Sequence, residues 1–325
     1  MSVPPVQFQS LTKRYRSGFL IREIRALSGV TFEVRPGEIF GFLGPNGAGK
    51  TTAIKILVGL TRPTSGSARV MGESPDSVRG KTQIGFLPES PYFYEHLTAR
   101  EFLVLSGQLN GVPRGELGAR AAQTLEMVKL VRAADTRLRG FSRGMLQRVG
   151  IAQALLHNPK LVILDEPMGG LDPIGRKEFR DIILGLRDSG RTVFFSTHIL
   201  QDVEMICDRV ATLVDGRLVS VGRLDEILSA EVDTFEITAR SISADAVRSS
   251  GVRFQQLLPG DDKLLLVVRS EAEVEAVLKL LAARNGKLVS LIPRNRTLED
   301  FFMSQVHGQG AGAGRQGRQG FQNAE

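Results

Sequence analysis

GPNGAGKT (44–51) fits the pattern G-x-x-x-x-G-K-[S/T], and its neighbours decide how it folds. Before it runs EIFGFLG (38–44), a short apolar stretch closed by glycine, which predicts a buried strand. After it runs KTTAIKILVGL (50–60), which predicts a helix stopped by the turn residues of TRPTSG. Strand, glycine loop and helix together make an anion site. Gly44, Gly47 and Gly49 let the backbone curl so that successive N–H groups face a phosphate. The helix N-terminus adds partial positive charge. Pro45, Asn46, Ala48 and Thr52 complete the stretch against the phosphates, Lys50 reaches the β- and γ-phosphates, and Thr51 offers a hydroxyl to Mg²⁺. A glycine-rich turn before an ordinary helix is the plainer alternative.

Such a loop needs a further carboxylate for the metal. LVILDEP (161–167) supplies one at the end of a second apolar strand. Asp165 there would bind Mg²⁺, and Glu166 would act as general base on the attacking water. Around these two strands the chain alternates. GVTFEV places Val30, Phe32 and Val34 on one face of a strand. Residues 98–157 read as largely helical, and the last helix carries Met145, Val149, Ala152 and Leu156 on one stripe before Asn158-Pro159. KLVILD, a helix from Pro173 to Arg187 closed by Gly190, and TVFFST follow. The expected fold of residues 1–225 is therefore α/β: a mostly parallel sheet with crossover helices and a helical subdomain.

The pattern changes beyond residue 225. DTFEITA, SADAVRSSG, RFQQLL, DKLLLVV, SEAEVEAVLKLLAARNG and KLVSLIP read as β, α, β, β, α, β. That order predicts a small α+β domain of ferredoxin-like type over 230–305. Ser270 and Glu273 are spaced as a capping box, and Gly286 as the helix stop. Residues 306–325 lack apolar periodicity and read as a disordered tail.

Of 325 residues, 42 are Lys or Arg and 35 Asp or Glu, a net of +7. The excess is uneven: residues 225–305 hold 10 basic and 13 acidic groups, so the front carries the positive charge. A basic front suits a polyanionic ligand, or merely a solvated face. No apolar run approaches the about 18 residues of a membrane span. MSVPPVQFQS has neither a basic start nor an apolar core, so no secretory signal is expected. Cys207 is the single cysteine, and with four scattered histidines it predicts neither a disulfide nor a zinc site.

With these motifs in place, residues 6–225 resemble the nucleotide-binding subunit of an ABC transporter. The family's L-S-G-G-Q signature stands here as FSRGM, followed by LQR (141–148). Ser142 and Gly144 match it, and Arg143 and Met145 depart from it, a form more similar to export-type members. The resemblance implies that Ser142 faces a phosphate; capping the following helix is the plainer role, and the two are compatible because both use one helix end. It implies that Glu89, where the family usually has Gln, helps position Mg²⁺ and water. It sets Asp172, in GGLDP, in a loop crossing a dimer interface, or else as the cap of the helix opening at Pro173. It sets His198, in FFSTH, against the γ-phosphate. It sets Tyr15 against adenine, where a surface strand-end ring is the alternative.

The resemblance further implies a dimer of two ATP-binding subunits sandwiching two ATP molecules, because one subunit's signature completes the other's site. Transport then requires separate integral-membrane permease subunits, with the chain peripheral on the cytoplasmic face of the plasma membrane. SPYFYEHLT (90–98) is the expected docking surface, unless its aromatics pack on the helix from Thr98. The small domain closing with TLEDFF (297–302) resembles the extension of bacterial export ATPases. The competing class is a soluble ABC ATPase acting on nucleic acid. Repair members separate their two nucleotide motifs by a long coiled coil and translation members carry two nucleotide domains. Here Lys50 and Asp165 are 115 residues apart without heptads, so no nucleic acid partner is expected. A nucleotide-binding regulator without turnover is the third class, and Glu166 and His198 argue against it.

Overall fold

The computed structural model describes residues 3–17, 22–227, 232–260 and 262–295. The chain divides into two compact units, Met1–Leu224 and Asp225–Glu325. The first unit begins with β1 (Val6–Ser17) and β2 (Arg22–Val34), then β3 (Ile39–Leu43), α1 (Lys50–Leu57), β4 (Ser65–Val70), α2 (Val78–Lys81) and β5 (Ile84–Leu87). The helical stretch follows as α3 (Ala99–Leu109), α4 (Leu117–Met127) and α5 (Arg143–Leu155), with two single 3₁₀ turns between α4 and α5. The unit finishes with β6 (Leu161–Asp165), α6 (Pro173–Asp188), β7 (Thr192–Thr197), α7 (Leu200–Ile206), β8 (Arg209–Val214) and β9 (Arg217–Arg223).

Six strands form one sheet in the order β5-β6-β7-β3-β8-β9, parallel except for the last pair. β3, β6 and β7 are buried at every position, which is why they read as unbroken apolar runs rather than alternations. An antiparallel sheet, β2-β1-β4, lies beside it. Between the sheets the rings of Phe32 and Phe40 stack at 5.3 Å, and Phe40 stacks on Phe194 at 5.8 Å. Ile54, Ile56 and Leu57 of α1 join that core. A second core joins the other sheet face to α3, α4, α5 and α6, with Val149, Ala152 and Leu156 buried in it and Met145 half-buried at its edge.

Two boundaries differ from expectation. The helix from Lys50 stops at Leu57, not Leu60, because Gly59 turns left-handed (φ 73°) and the amides of Leu60 and Thr61 bend back to the Lys55 carbonyl. TRPTSG is not only a turn: its last two residues open β4, which pairs with β1.

α8 (Leu224–Ile227) spans the boundary, and the second unit contains β10 (Val232–Arg240), α9 (Ala244–Arg248), β11 (Gln256–Pro259), β12 (Leu264–Val268), α10 (Glu271–Ala283) and β13 (Lys287–Asn295). All neighbours in its sheet, β11-β12-β10-β13, are antiparallel. Ile237, Leu266, Val268, Val277 and Leu281 bury its own core. The capping box is shifted: Ser270 accepts from the Glu273 amide, but Glu273 Oε2 accepts from Arg269 N rather than from Ser270 N. At the other end of α10 the left-handed residue is Asn285 (φ 52°), and the Gly286 amide donates to the Leu281 carbonyl. TLEDFF and the tail lie outside the described residues.

Candidate functional site

The loop from Gly44 to Gly49 leaves the carboxyl end of β3 and enters α1. Gly49 holds the entry, with φ 106°, and a Cβ on it would collide with the Ala26 carbonyl. The backbone thus curls tightly under the first turn of α1. Over the loop opens a cavity of about 440 Å³. Asn46, Gly47, Ala48, Gly49, Lys50, Thr51 and Thr52 line it from the loop side. Glu89, Glu166, Gly169 and His198 line it from the segments that follow β5, β6 and β7, Arg143 from the start of α5, and Ile24, Arg25 and Ala26 from β2.

β6 and β7 run parallel with Asp165 level with Ser196, so the functional groups at both strand ends meet. Ser196 is fully buried. Its hydroxyl donates to Asp165 Oδ1 at 2.6 Å and accepts from the Glu166 amide at 2.9 Å. Asp165 Oδ1 also accepts from the Thr51 hydroxyl at 3.3 Å. Burial raises the Asp165 carboxyl above its usual range, against the lowering pull of the Ser196 and Thr51 bonds. The chain then turns sharply. Glu166 has φ 46°, a left-handed conformation that costs a non-glycine residue about 1–3 kcal/mol. Its carboxylate lines the cavity.

There Glu166 is held on both sides. Oε1 lies 3.0 Å from Lys50 Nζ, and Oε2 lies 2.9 Å from His198 Nδ1. A carboxylate only accepts, so His198 donates from Nδ1 and leaves Nε2 for a ligand. Lys50 also donates to the carbonyls of Gly44 at 2.7 Å and Pro45 at 3.1 Å. Both Lys50 and Glu166 are buried. The Lys50 ammonium thus meets two carbonyls and one carboxylate. The metal donors fit as well. Thr51 Oγ1 and Asp165 Oδ1 are hard oxygen ligands at the end of the loop, the kind Mg²⁺ takes alongside phosphate oxygens.

The other sequence-predicted residues are placed as follows. Glu89 is exposed and lines the cavity. Gly44 and Pro45 contribute carbonyls beneath it rather than lining it. Ser142 caps α5, accepting from the Met145 amide at 3.3 Å, and Gly144 packs beside Leu171. Asp172 caps α6, accepting from the Gly175 amide at 2.7 Å. Neither Ser142 nor Asp172 lines this chain's own cavity. Tyr15 does not either; its half-exposed ring faces Lys13 Nζ at 5.0 Å, and Ile24, its partner across the β1–β2 ladder, reaches the cavity instead. Phe93 is no docking anchor, since it is buried edge-on against Phe102 at 5.3 Å, whereas Tyr92 and Tyr94 are exposed. Sequence reasoning missed Ser196, whose only signal is that two strands of matching length end together. It also discounted Arg143, which lines the cavity.

A family model described as ABC transporter matches residues 27–169. An ABC transporter ATP-binding protein of Synechocystis is 38% identical over 315 residues, spanning 94% of this chain and 87% of that protein. The Nod factor export ATP-binding protein I of Burkholderia thailandensis is 36% identical over 241 residues, 73% of this chain and 77% of that protein. Among solved structures, the dimeric post-hydrolysis state of an ATP-binding cassette bound to ADP and Pi is similar with a TM-score of 0.61 and 28% identity, covering 67% of this chain and 98% of that one.

Proposed function

The chain belongs to the ATP-binding subunits of ABC transporters, and from that premise we propose that its ATP hydrolysis powers export through separate membrane permease subunits. The single observation behind the catalytic part is the Lys50–Glu166–His198 constellation in the cavity over the loop. Lys50 is paired with Glu166 at 3.0 Å. Phosphate oxygens arriving over the loop compete for Lys50 and free the carboxylate, so the base becomes available when there is something to hydrolyse. His198, fixed by Glu166, presents Nε2 to the γ-phosphate. Thr51 and Asp165 would hold Mg²⁺, with Glu89 helping to position it; the metal would neutralise charge on the phosphates.

Ser142, Gly144 and Asp172 are assigned to the nucleotide of a second ATP-binding subunit, a second copy of this chain. Their place at exposed helix entrances, outside their own cavity, supports that address. Tyr15 is kept as the adenine contact on the family likeness alone. The likeness to a Nod factor export subunit supports export over import. Among the described residues no helix is long and apolar enough to cross a membrane. On the family likeness, the permease is taken as a separate subunit, with this chain peripheral on its cytoplasmic face. Tyr92 and Tyr94 are the docking rings. We take the second unit as ferredoxin-like and place no chemistry in it.

The test is a membrane-association assay in the native host. The chain should sediment with membranes, and Tyr92→Asp with Tyr94→Asp should release it while sparing ATP hydrolysis by the purified chain. A doubly substituted chain that stays on membranes overturns the docking reading.

A further inference from the structure

Two strands carry the chemistry, β3 into the phosphate loop and β6 into Asp165 and Glu166, and they are not neighbours: β7 lies between them. Ser196, near the end of β7, is level with Phe42 of β3 on one side and with Asp165 of β6 on the other. Three consecutive residues at this end clasp both motifs. The Thr197 carbonyl accepts from the Gly44 amide at 3.3 Å, where the loop begins. His198 Nδ1 meets the Glu166 carboxylate at 2.9 Å. Ser196 serves two residues with one hydroxyl, donating to Asp165 Oδ1 at 2.6 Å and accepting from the Glu166 amide at 2.9 Å. The strand is buried at every position, and a hydroxyl in such a place is costly unless paired. Here it is paired twice.

We infer that Ser196 is a positioning residue for the reaction: its hydroxyl locks the Asp165 carboxylate and the backbone turn at Glu166 to one another, so that the metal's ligand and the base are aimed together. The inference rests on the ATP-site reading and deepens it. Ser196 does not line the cavity, so it acts through its two neighbours rather than on the nucleotide. Its bond to Asp165 is short, as a hydroxyl on a carboxylate should be. With the Thr51 hydroxyl on the same oxygen, it fixes how the carboxyl group is turned. Its second bond holds the amide of a residue whose left-handed backbone, φ 46°, needs support. Alanine at this position would leave a buried carboxylate oxygen short of a donor and a buried amide short of an acceptor. Groups that orient a metal ligand in this way commonly cost about 10–100-fold in metal affinity or activity when removed. Ser196 differs from such a group in holding the base as well.

The experiment compares wild type with Ser196→Ala, Ser196→Thr and Ser196→Val as full-length chains, with melting temperatures as the folding check. Mn²⁺ stands in for Mg²⁺ and is titrated by electron paramagnetic resonance in the presence of non-hydrolysable AMP-PNP, against a nucleotide-only blank. Ser196→Ala should bind Mn²⁺ about tenfold more weakly and lower kcat for ATP in concentrated protein by about tenfold or more. Its binding of mant-ATP in EDTA should change less than about twofold, because Lys50 bonds to Gly44, Pro45 and Glu166 and not to Ser196. Threonine and valine have nearly one shape and differ in the hydroxyl. Ser196→Thr should therefore stand closer to wild type than Ser196→Val in both Mn²⁺ affinity and kcat. Wild-type Mn²⁺ affinity in Ser196→Ala overturns the inference, even with a lowered melting temperature, since that is the result of a merely structural hydroxyl. An equal response of the Thr and Val variants overturns it too. If Lys50→Ala binds mant-ATP as tightly as wild type, the ATP-site reading itself has failed whatever Ser196 does, and the two failures are distinguishable.

Discussion

Glu166 is the proposed base, and its backbone carries a cost. A left-handed glutamate persists because Ser196 holds its amide while Lys50 and His198 hold its carboxylate. Glu166→Gln keeps the shape and removes the base. It should bind ATP as wild type does and release phosphate slower by orders of magnitude; near-normal phosphate release would show the base assignment to be wrong. A second residue-scale prediction concerns pH. His157 donates from Nε2 to the Ile84 carbonyl, 2.8 Å away, and burial lowers its affinity for protons below the usual 6.5. A base whose folded value is lowered is protonated first in the unfolded chain. Stability should therefore be unaffected well above pH 6.5 and fall as pH drops below it, until the folded form titrates too. His157→Gln should flatten that slope in melting curves taken from pH 7.5 down to about 5. Lys50, Thr51, Asp165 and Glu166 were legible in the sequence because each motif is continuous along the chain. Ser196 was not, because its contacts depend on which strand ends lie beside each other in space.

Elements bring these groups together, and their ends matter more than their middles. The site gathers where β3, β6 and β7 finish and where α1 begins, the carboxyl edge of a parallel sheet. Apolar runs such as IFGFL and LVILD announced those strands. β1 and β4 were harder to see, since their antiparallel ladders mix exposed polar positions with bulged register. Helix entrances were ambiguous in a different way. One oxygen can cap a helix and still meet a ligand, so sequence alone left Ser142 and Asp172 with two roles each. Asp172 separates them by substitution. Asp172→Ala removes the acceptor for the Gly175 amide and should cost about 1 kcal/mol in denaturant titration. Asp172→Asn retains a capping oxygen and should keep that stability. If Asn also keeps full turnover in concentrated protein, the residue caps α6 and does no more; stability kept with turnover lost assigns it to the subunit interface.

At the scale of the whole molecule, the ATP site and the second unit draw on separate residues. Every side chain lining the cavity precedes Leu224, and the second unit closes its own core between Phe235 and Leu281. A chain ending at residue 229 should therefore stay soluble and hydrolyse ATP; an insoluble truncation would mean that the units share more than a linker. What the first unit cannot do alone is close its site. Ser142 and Asp172 stand outside their own cavity, and on the proposed reading they complete the phosphate contacts of a second chain facing it. Dilute protein should turn over slowly, and activity should rise faster than linearly with concentration. In Glu166→Gln, ATP should shift the chain from monomer to dimer on sizing chromatography, because bound ATP is no longer cleaved and the sandwich persists. Ser142→Arg in that background should prevent the shift while leaving ATP binding to the monomer intact, since the bulky side chain obstructs only the contact across the interface. A Glu166→Gln chain that remains monomeric with ATP at high concentration would place dimer formation under the control of a different ATP-binding subunit or of the permease. A monomer with full activity would overturn completion of the site by a second chain altogether.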